Sequence, residues 1–90
     1  MAIKPEDILP DEANSLLVKG ITVRKGTMAA VLANLKLLDS PGLTKEERRK
    51  TIDMIKELAP ALVVTGFSKY LSFKNPEIQK ILDDAAEGIL

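Results

Sequence analysis

The segment VKGITVRKGT, residues 18–27, holds the side chains best suited to bind a ligand. Arg24 and Lys25 precede Gly26, where a ligand can approach the backbone closely, and Thr27, which offers a hydroxyl group. A helix that begins at Thr27 would add free amides and a partial positive charge. These four residues are therefore candidates for a phosphate-binding site. The interpretation that we favour is that Gly26 and Thr27 end a strand and start a helix, while both basic side chains are solvated.

Few other residues could perform chemistry. The chain has no histidine and no cysteine, so it lacks the commonest general base and any thiolate metal site. Tyr70 and Lys74 share the Tyr-x-x-x-Lys spacing of short-chain dehydrogenases, but ninety residues leave no room for the nucleotide-binding sheet of those enzymes. Asp83, Asp84 and Glu87 lack the loop spacing of a cation site. We therefore expect no enzymatic activity, no cofactor and no metal.

The charges are unevenly distributed, although the net charge is zero. Residues 1–18 carry one basic and four acidic side chains, a net charge of −3, and residues 81–90 carry three acids, also −3. Residues 19–50 carry eight basic and three acidic side chains, a net charge of +5. A strongly basic domain with aromatic residues among the basic ones is typical of nucleic-acid binding. Here the three aromatic residues lie outside the basic segment, which disfavours a nucleic-acid partner.

The length of the chain predicts a single helical domain, residues 1–90. Residues 1–9 contain Pro5 and predict an extended or one-turn lead-in without the apolar run of a secretion signal. The most apolar stretch, Met28–Leu38, is too short to span a bilayer. We therefore expect a cytoplasmic protein with no membrane contact.

Apolar periodicity predicts a mainly α fold, a compact bundle of four to five short helices with one short strand. Thr44 and Asn75 are the clearest helix start signals, because Glu47 follows the first at capping-box spacing and a proline follows the second. The β-branched stretch at 62–67 leaves a strand open as the alternative to a helix there. The predicted helices are 10–18, 27–39, 44–58, 60–72 and 76–88, and the predicted strand is 21–25.

Within the chain, the only candidates to pair with strand 21–25 are the first few residues and residues 62–67, which we predict to be helical. Since even an isolated two-stranded hairpin is barely stable in water, we expect this strand to pair with its counterpart across a homodimer. Helix 27–39 is apolar almost all round, which is typical of a helix that is central in its fold or shared with a second subunit. The predicted dimer interface contains Ile21, Val23, Met28, Val31, Leu32 and Leu35.

Two functions follow from these patterns, and a small enzyme subunit or regulator that needs a different partner chain stays open as a third. The first is a non-catalytic, homodimeric protein–protein interaction module. The alternative is binding of a phosphate-bearing ligand, either a nucleotide or a nucleic-acid backbone, through the basic segment 19–27.

Overall fold

The structure is a computed structural model that describes residues 2–10 and 12–89. Met1 and Leu90, at the ends of the predicted domain, and Asp11, within the predicted helix 10–18, lie outside the described residues. The described chain is mainly helical, as the sequence predicts. Its elements are helix α1 (Pro5–Ile8), strands β1 (Ser15–Val18) and β2 (Ile21–Arg24), and helices α2 (Thr27–Leu38), α3 (Lys45–Val64), α4 (Phe67–Tyr70) and α5 (Pro76–Ile89).

The lead-in contains one helical turn, α1, so the structure has the one-turn form of the two that the sequence predicts. Pro5 occupies the first helical position, where its missing N–H is not needed. The Asp7 carboxylate accepts a hydrogen bond of 3.0 Å from the Lys4 backbone N–H, just before the turn. Local capping therefore explains a short helix whose residues are all exposed.

Residues 15–24 form a β-hairpin. β1 pairs antiparallel with β2, and Leu16 lies opposite Val23. The two residues of the turn, Lys19 and Gly20, have φ angles of +49° and +81°. A turn with two left-handed residues matches the right-handed twist of paired strands, which is why such turns join hairpins.

The predicted helix 10–18 is therefore wrong. A nine-residue helix with only two leucines to bury is marginal in water. Residues 15–18 instead form the hydrogen-bonded ladder with β2. The predicted strand 21–25 is confirmed as β2. Its partner is β1 of the same chain, which is neither of the two candidate segments that the sequence offered, the first few residues and 62–67.

A single helix, α3, covers the predicted helix 44–58 and the first part of the predicted helix 60–72. It ends at Val64. Pro60 has no N–H for the carbonyl of Lys56, a defect that costs a helix about 3 kcal/mol. The four residues after Pro60 are all buried, so continuing the helix keeps their apolar side chains in the core. Residues 62–64 are thus helical. Gly66, with φ of +93°, then separates α3 from the single turn of α4.

The core lies where α3 packs against both α2 and α5. Tyr70, which the predicted helix 60–72 would place on a buried stripe, is 77% exposed because α4 ends there. Its neighbours Phe67 and Phe73 instead stack on each other, with ring centroids 5.1 Å apart. The buried cluster consists of Val31, Leu62, Val63 and Leu82.

Candidate interaction surface

The basic segment becomes the connection between β2 and α2. The Thr27 hydroxyl donates to the Arg24 carbonyl at 2.7 Å, so it closes the connection rather than facing a ligand. The Lys25 backbone N–H donates to the Asn14 carbonyl at 2.8 Å, and its Nζ lies 3.5 Å from the Pro10 carbonyl. Lys25 is thus held toward the segment that precedes the hairpin.

Gly26 precedes α2 with φ of +88°, a left-handed conformation that favours glycine. No side chain caps the helix start here, and Thr27 is the first helical residue rather than the cap. Gly26 therefore serves the turn into α2.

A cavity of about 400 Å³ lies between β2, the start of α2 and the middle of α3. Arg24 and Thr27 both line it, so the structure brings together two of the four predicted anion-binding residues. Glu57 lines the same cavity from α3, and its carboxylate would repel a phosphate. Much of the remaining lining is apolar and comes from Ile21, Met54, Leu58, Pro60 and Ala61.

α2 has one face in the core and one face toward solvent. Val31 is fully buried, and Leu35 and Leu38 on the same side are half-buried. The opposite side is also apolar, but it faces solvent. Met28 is 38% exposed there, and Leu32 and Leu37 are each 49% exposed. We call this side the outer face of α2, and its exposed residues are Met28, Ala29, Leu32, Ala33, Lys36 and Leu37.

The six residues of the predicted dimer interface divide between these two environments. Val31 belongs to the chain's own core, and Leu35 packs against that core. Ile21 and Val23 lie on the half-buried face of the hairpin. Met28 and Leu32 lie on the outer face of α2.

The predicted dimer interface left out the other apolar residues of the outer face. Ala29, Ala33 and Leu37 follow one another at intervals of four residues, which is the spacing of one helix side. Plotting the two sides of α2 separately would have grouped them with Leu32. Lys36 is the single charged residue on this face.

Two ion pairs of the helices shift the pKa values of their own members. Arg48 of α3 pairs with Glu77 of α5, and this hydrogen bond and ion pair lower the pKa of Glu77 and raise the pKa of Arg48. Near the C-terminal end of α5, Asp84 accepts from Lys80 at 3.0 Å and raises the pKa of that lysine. Among residues 2–10 and 12–89, no three acidic side chains are grouped so that they could hold a metal ion.

No protein-family model, curated protein or solved structure matches this chain. Its function is therefore inferred from its own geometry. Within the described part of the chain, no helix combines the length and the apolar character that crossing a bilayer requires.

Proposed function

We propose that this chain is a non-catalytic protein–protein interaction module that forms a homodimer through the outer face of α2. The observation that carries the proposal is a helix with apolar residues on its solvent side and one lysine among them. Apolar area in water is unfavourable at roughly 25 cal/mol per Å², so covering this face would be favourable. A contiguous exposed apolar patch is also what marks many association sites.

The composition of the outer face suits a second copy of the same helix. Ala29 and Ala33 are small, so two helix backbones can approach closely along their line. Leu32 and the flanking Met28 and Leu37 can then fill the spaces on either side. A two-fold symmetric contact uses the same patch on both chains, so each of these residues is buried in both chains.

Charges at the two ends of α2 favour an antiparallel pair. Arg24 and Lys25 precede the helix, and Asp39 follows it. In an antiparallel arrangement, each Asp39 lies at the positive end of the other helix and near its basic pair, where an acidic side chain is favourable. The two helix dipoles also oppose each other in this arrangement.

Pairing of strand 21–25 across the dimer is the other possible dimer contact. It was motivated by a strand without a partner, and β1 now occupies one edge of β2. No described residue covers the outer face of α2 in this way, and for that reason we propose the dimer contact there.

Binding of a nucleotide or a nucleic-acid backbone through residues 19–27 is the second candidate function. Its support is the position of Arg24 beside a cavity, and Glu57 in that cavity counts against it. The test is fluorescence anisotropy with labelled oligonucleotides and nucleotides at low salt. Binding that weakens steeply with salt, and that is lost when Arg24 and Lys25 are both changed to Gln, would favour this function over the first.

The experiment that tests the dimer is solution mass by light scattering on a sizing column. The wild-type chain should give twice its 9.8 kDa mass. Leu32→Glu should give a monomer, because two carboxylates would meet at the centre of the joint. The matched control is Leu71→Glu, at an apolar residue that is 59% exposed outside α2. Wild-type protein that is monomeric at every concentration, or equal effects of both substitutions, would contradict the proposal.

A further inference from the structure

The hydrogen-bond pattern of the hairpin shows which backbone groups of β2 face away from β1. The Lys25 N–H donates to the Asn14 carbonyl, so this pair belongs to the hydrogen-bonded set of the ladder. Opposed pairs in an antiparallel ladder alternate between bonded and non-bonded. Thr22, opposite Leu17, therefore falls in the non-bonded set. Its N–H and C=O point toward the edge of β2 that faces away from β1, which we call the outer edge of β2.

Arg24 has the same orientation, because it lies two residues from Thr22 along the strand. Its carbonyl accepts from the Thr27 hydroxyl. Within the described part of the chain, no hydrogen bond is formed by the Thr22 N–H, the Thr22 carbonyl or the Arg24 N–H. The outer edge of β2 thus offers two donors and one acceptor in the order that a third strand would use.

The cavity of about 400 Å³ lies along this same edge. Thr22 and Arg24 form one wall, and Met54, Leu58 and Pro60 of α3 supply apolar lining on the other side. A strand placed on the edge would therefore find backbone partners in β2 and an apolar surface in α3. The combination of an open sheet edge with an adjacent apolar groove is the arrangement that binds extended peptides.

We propose that the outer edge of β2 binds an extended peptide segment of a partner protein, which becomes the third strand of the sheet. An antiparallel peptide residue opposite Thr22 would exchange two hydrogen bonds with it. The Arg24 N–H would donate a third bond two residues away. Antiparallel pairing is assigned because it is the more stable arrangement per residue.

The alternation of side chains defines the chemistry of this peptide. The two peptide residues opposite Ile21 and Val23 lie on the same half-buried face of the sheet as these two residues. Both peptide residues must therefore be apolar. The residue between them shares the exposed face of Thr22 and is polar. Read from its N-terminus, the segment is therefore acidic, apolar, polar, apolar, with the acidic residue opposite Arg24.

Charge complementarity accounts for the acidic position. Arg24 is exposed and forms no ion pair with any described side chain. Opposite charges that face each other across strands stabilise pairing, and like charges weaken it. Glu57 lies on the α3 side of the cavity and would repel an acid at either apolar position.

The test uses a fluorescein-labelled peptide, Ser-Glu-Val-Thr-Val-Ser, in an anisotropy titration with the full chain. Thr22→Pro removes the outward N–H and no ladder hydrogen bond, and it should weaken binding about tenfold. Leu17→Pro is the matched control, because it makes the same change on the opposite edge of the hairpin. Its affinity for the peptide should equal that of the wild type.

A charge exchange keeps the test decisive if a proline variant does not fold. Arg24→Glu should weaken binding of the Glu peptide about tenfold and bind the Lys peptide, Ser-Lys-Val-Thr-Val-Ser, more tightly than the wild type does. No saturable binding of the Glu peptide, or no preference of Arg24→Glu for the Lys peptide, would overturn the proposal.

The peptide site does not depend on the α2 dimer. Leu32→Glu should bind the Glu peptide with unchanged affinity, so the two proposals can fail separately. If the Glu peptide instead dissociates a wild-type dimer, the edge of β2 is occupied by a second copy of the chain. That result would overturn the assignment to a partner protein.

Discussion

Lys19→Asn should stabilise the chain, because Lys19 holds a left-handed conformation in the hairpin turn. Its φ of +49° is the one positive value at a non-glycine residue in the described chain. This conformation costs an ordinary L-residue roughly 1–2 kcal/mol, and asparagine tolerates it better. Asn-Gly is also the preferred pair for this type of turn. We expect the free energy of unfolding to rise by up to about 1 kcal/mol.

Gly20→Ala is the matched destabilising change in the same turn. An added Cβ at Gly20 meets no atom within 4 Å, so only the backbone conformation at φ of +81° opposes it. The expected loss is about 1–2 kcal/mol. Gly88→Ala, in helical α5, also meets no atom within 4 Å and should instead stabilise the chain by up to about 1 kcal/mol. The same chemical change thus has opposite signs at the two glycines.

The assay is urea unfolding followed by circular dichroism, with thermal unfolding as a second measure. For a domain of this size, 1 kcal/mol shifts Tm by roughly 4–8 °C. If residues 10–18 were helical instead, Lys19 would lie near a helix C-terminus, where a cation is favourable. Lys19→Asn would then lower the stability. A decrease in Tm for Lys19→Asn would therefore refute the hairpin.

Two further predictions concern α3 and its contact with α5. Thr44→Ala should lower the free energy of unfolding by about 1 kcal/mol, because the Thr44 hydroxyl accepts the Glu47 N–H at 3.0 Å; an unchanged urea midpoint would contradict this cap. The hydrogen bond from Arg48 holds the pKa of Glu77 below its ordinary value of 4.5, so the stability from this pair is present above that pH and is lost as pH falls below it. The difference in Tm between wild type and Glu77→Gln should therefore shrink in acid, and a constant difference from pH 7 to 3 would contradict the pair.

Helix starts with capping chemistry could be predicted from the sequence. Thr44 caps α3 through Glu47, and the Asn75 side chain accepts the backbone N–H of Glu77 at 2.9 Å, at the start of α5. These signals are local, since each depends on residues within one turn. They do not depend on what the helix later packs against.

The hairpin and the continuation of α3 could not be predicted in the same way. The turn is Lys19-Gly20 rather than Asn-Gly, and the four residues of β1 are too few to show a clear alternation. Pro60 ordinarily ends a helix, and only the burial of the residues after it explains why α3 continues. Both outcomes are decided by tertiary packing rather than by local preference.

Which residues of α2 face the core could not be predicted for the same reason. The composition of α2 indicated a helix with too much apolar surface for one core. Composition did not show which side would face that core, so Val31 was grouped with Leu32. The structure separates them, with Val31 buried and Leu32 half exposed.

Cross-linking through a single cysteine would test the α2 dimer most directly. The chain has no cysteine, so Ala33→Cys introduces the one thiol at the centre of the outer face. In an antiparallel α2 pair, the two thiols lie close enough for a disulfide or a short bis-maleimide bridge. Glu87→Cys, at an exposed residue of α5, is the control for random collision. We expect a covalent dimer for Ala33→Cys at low micromolar concentration and a monomer for Glu87→Cys. Equal cross-linking of the two variants would show that α2 is not the dimer contact.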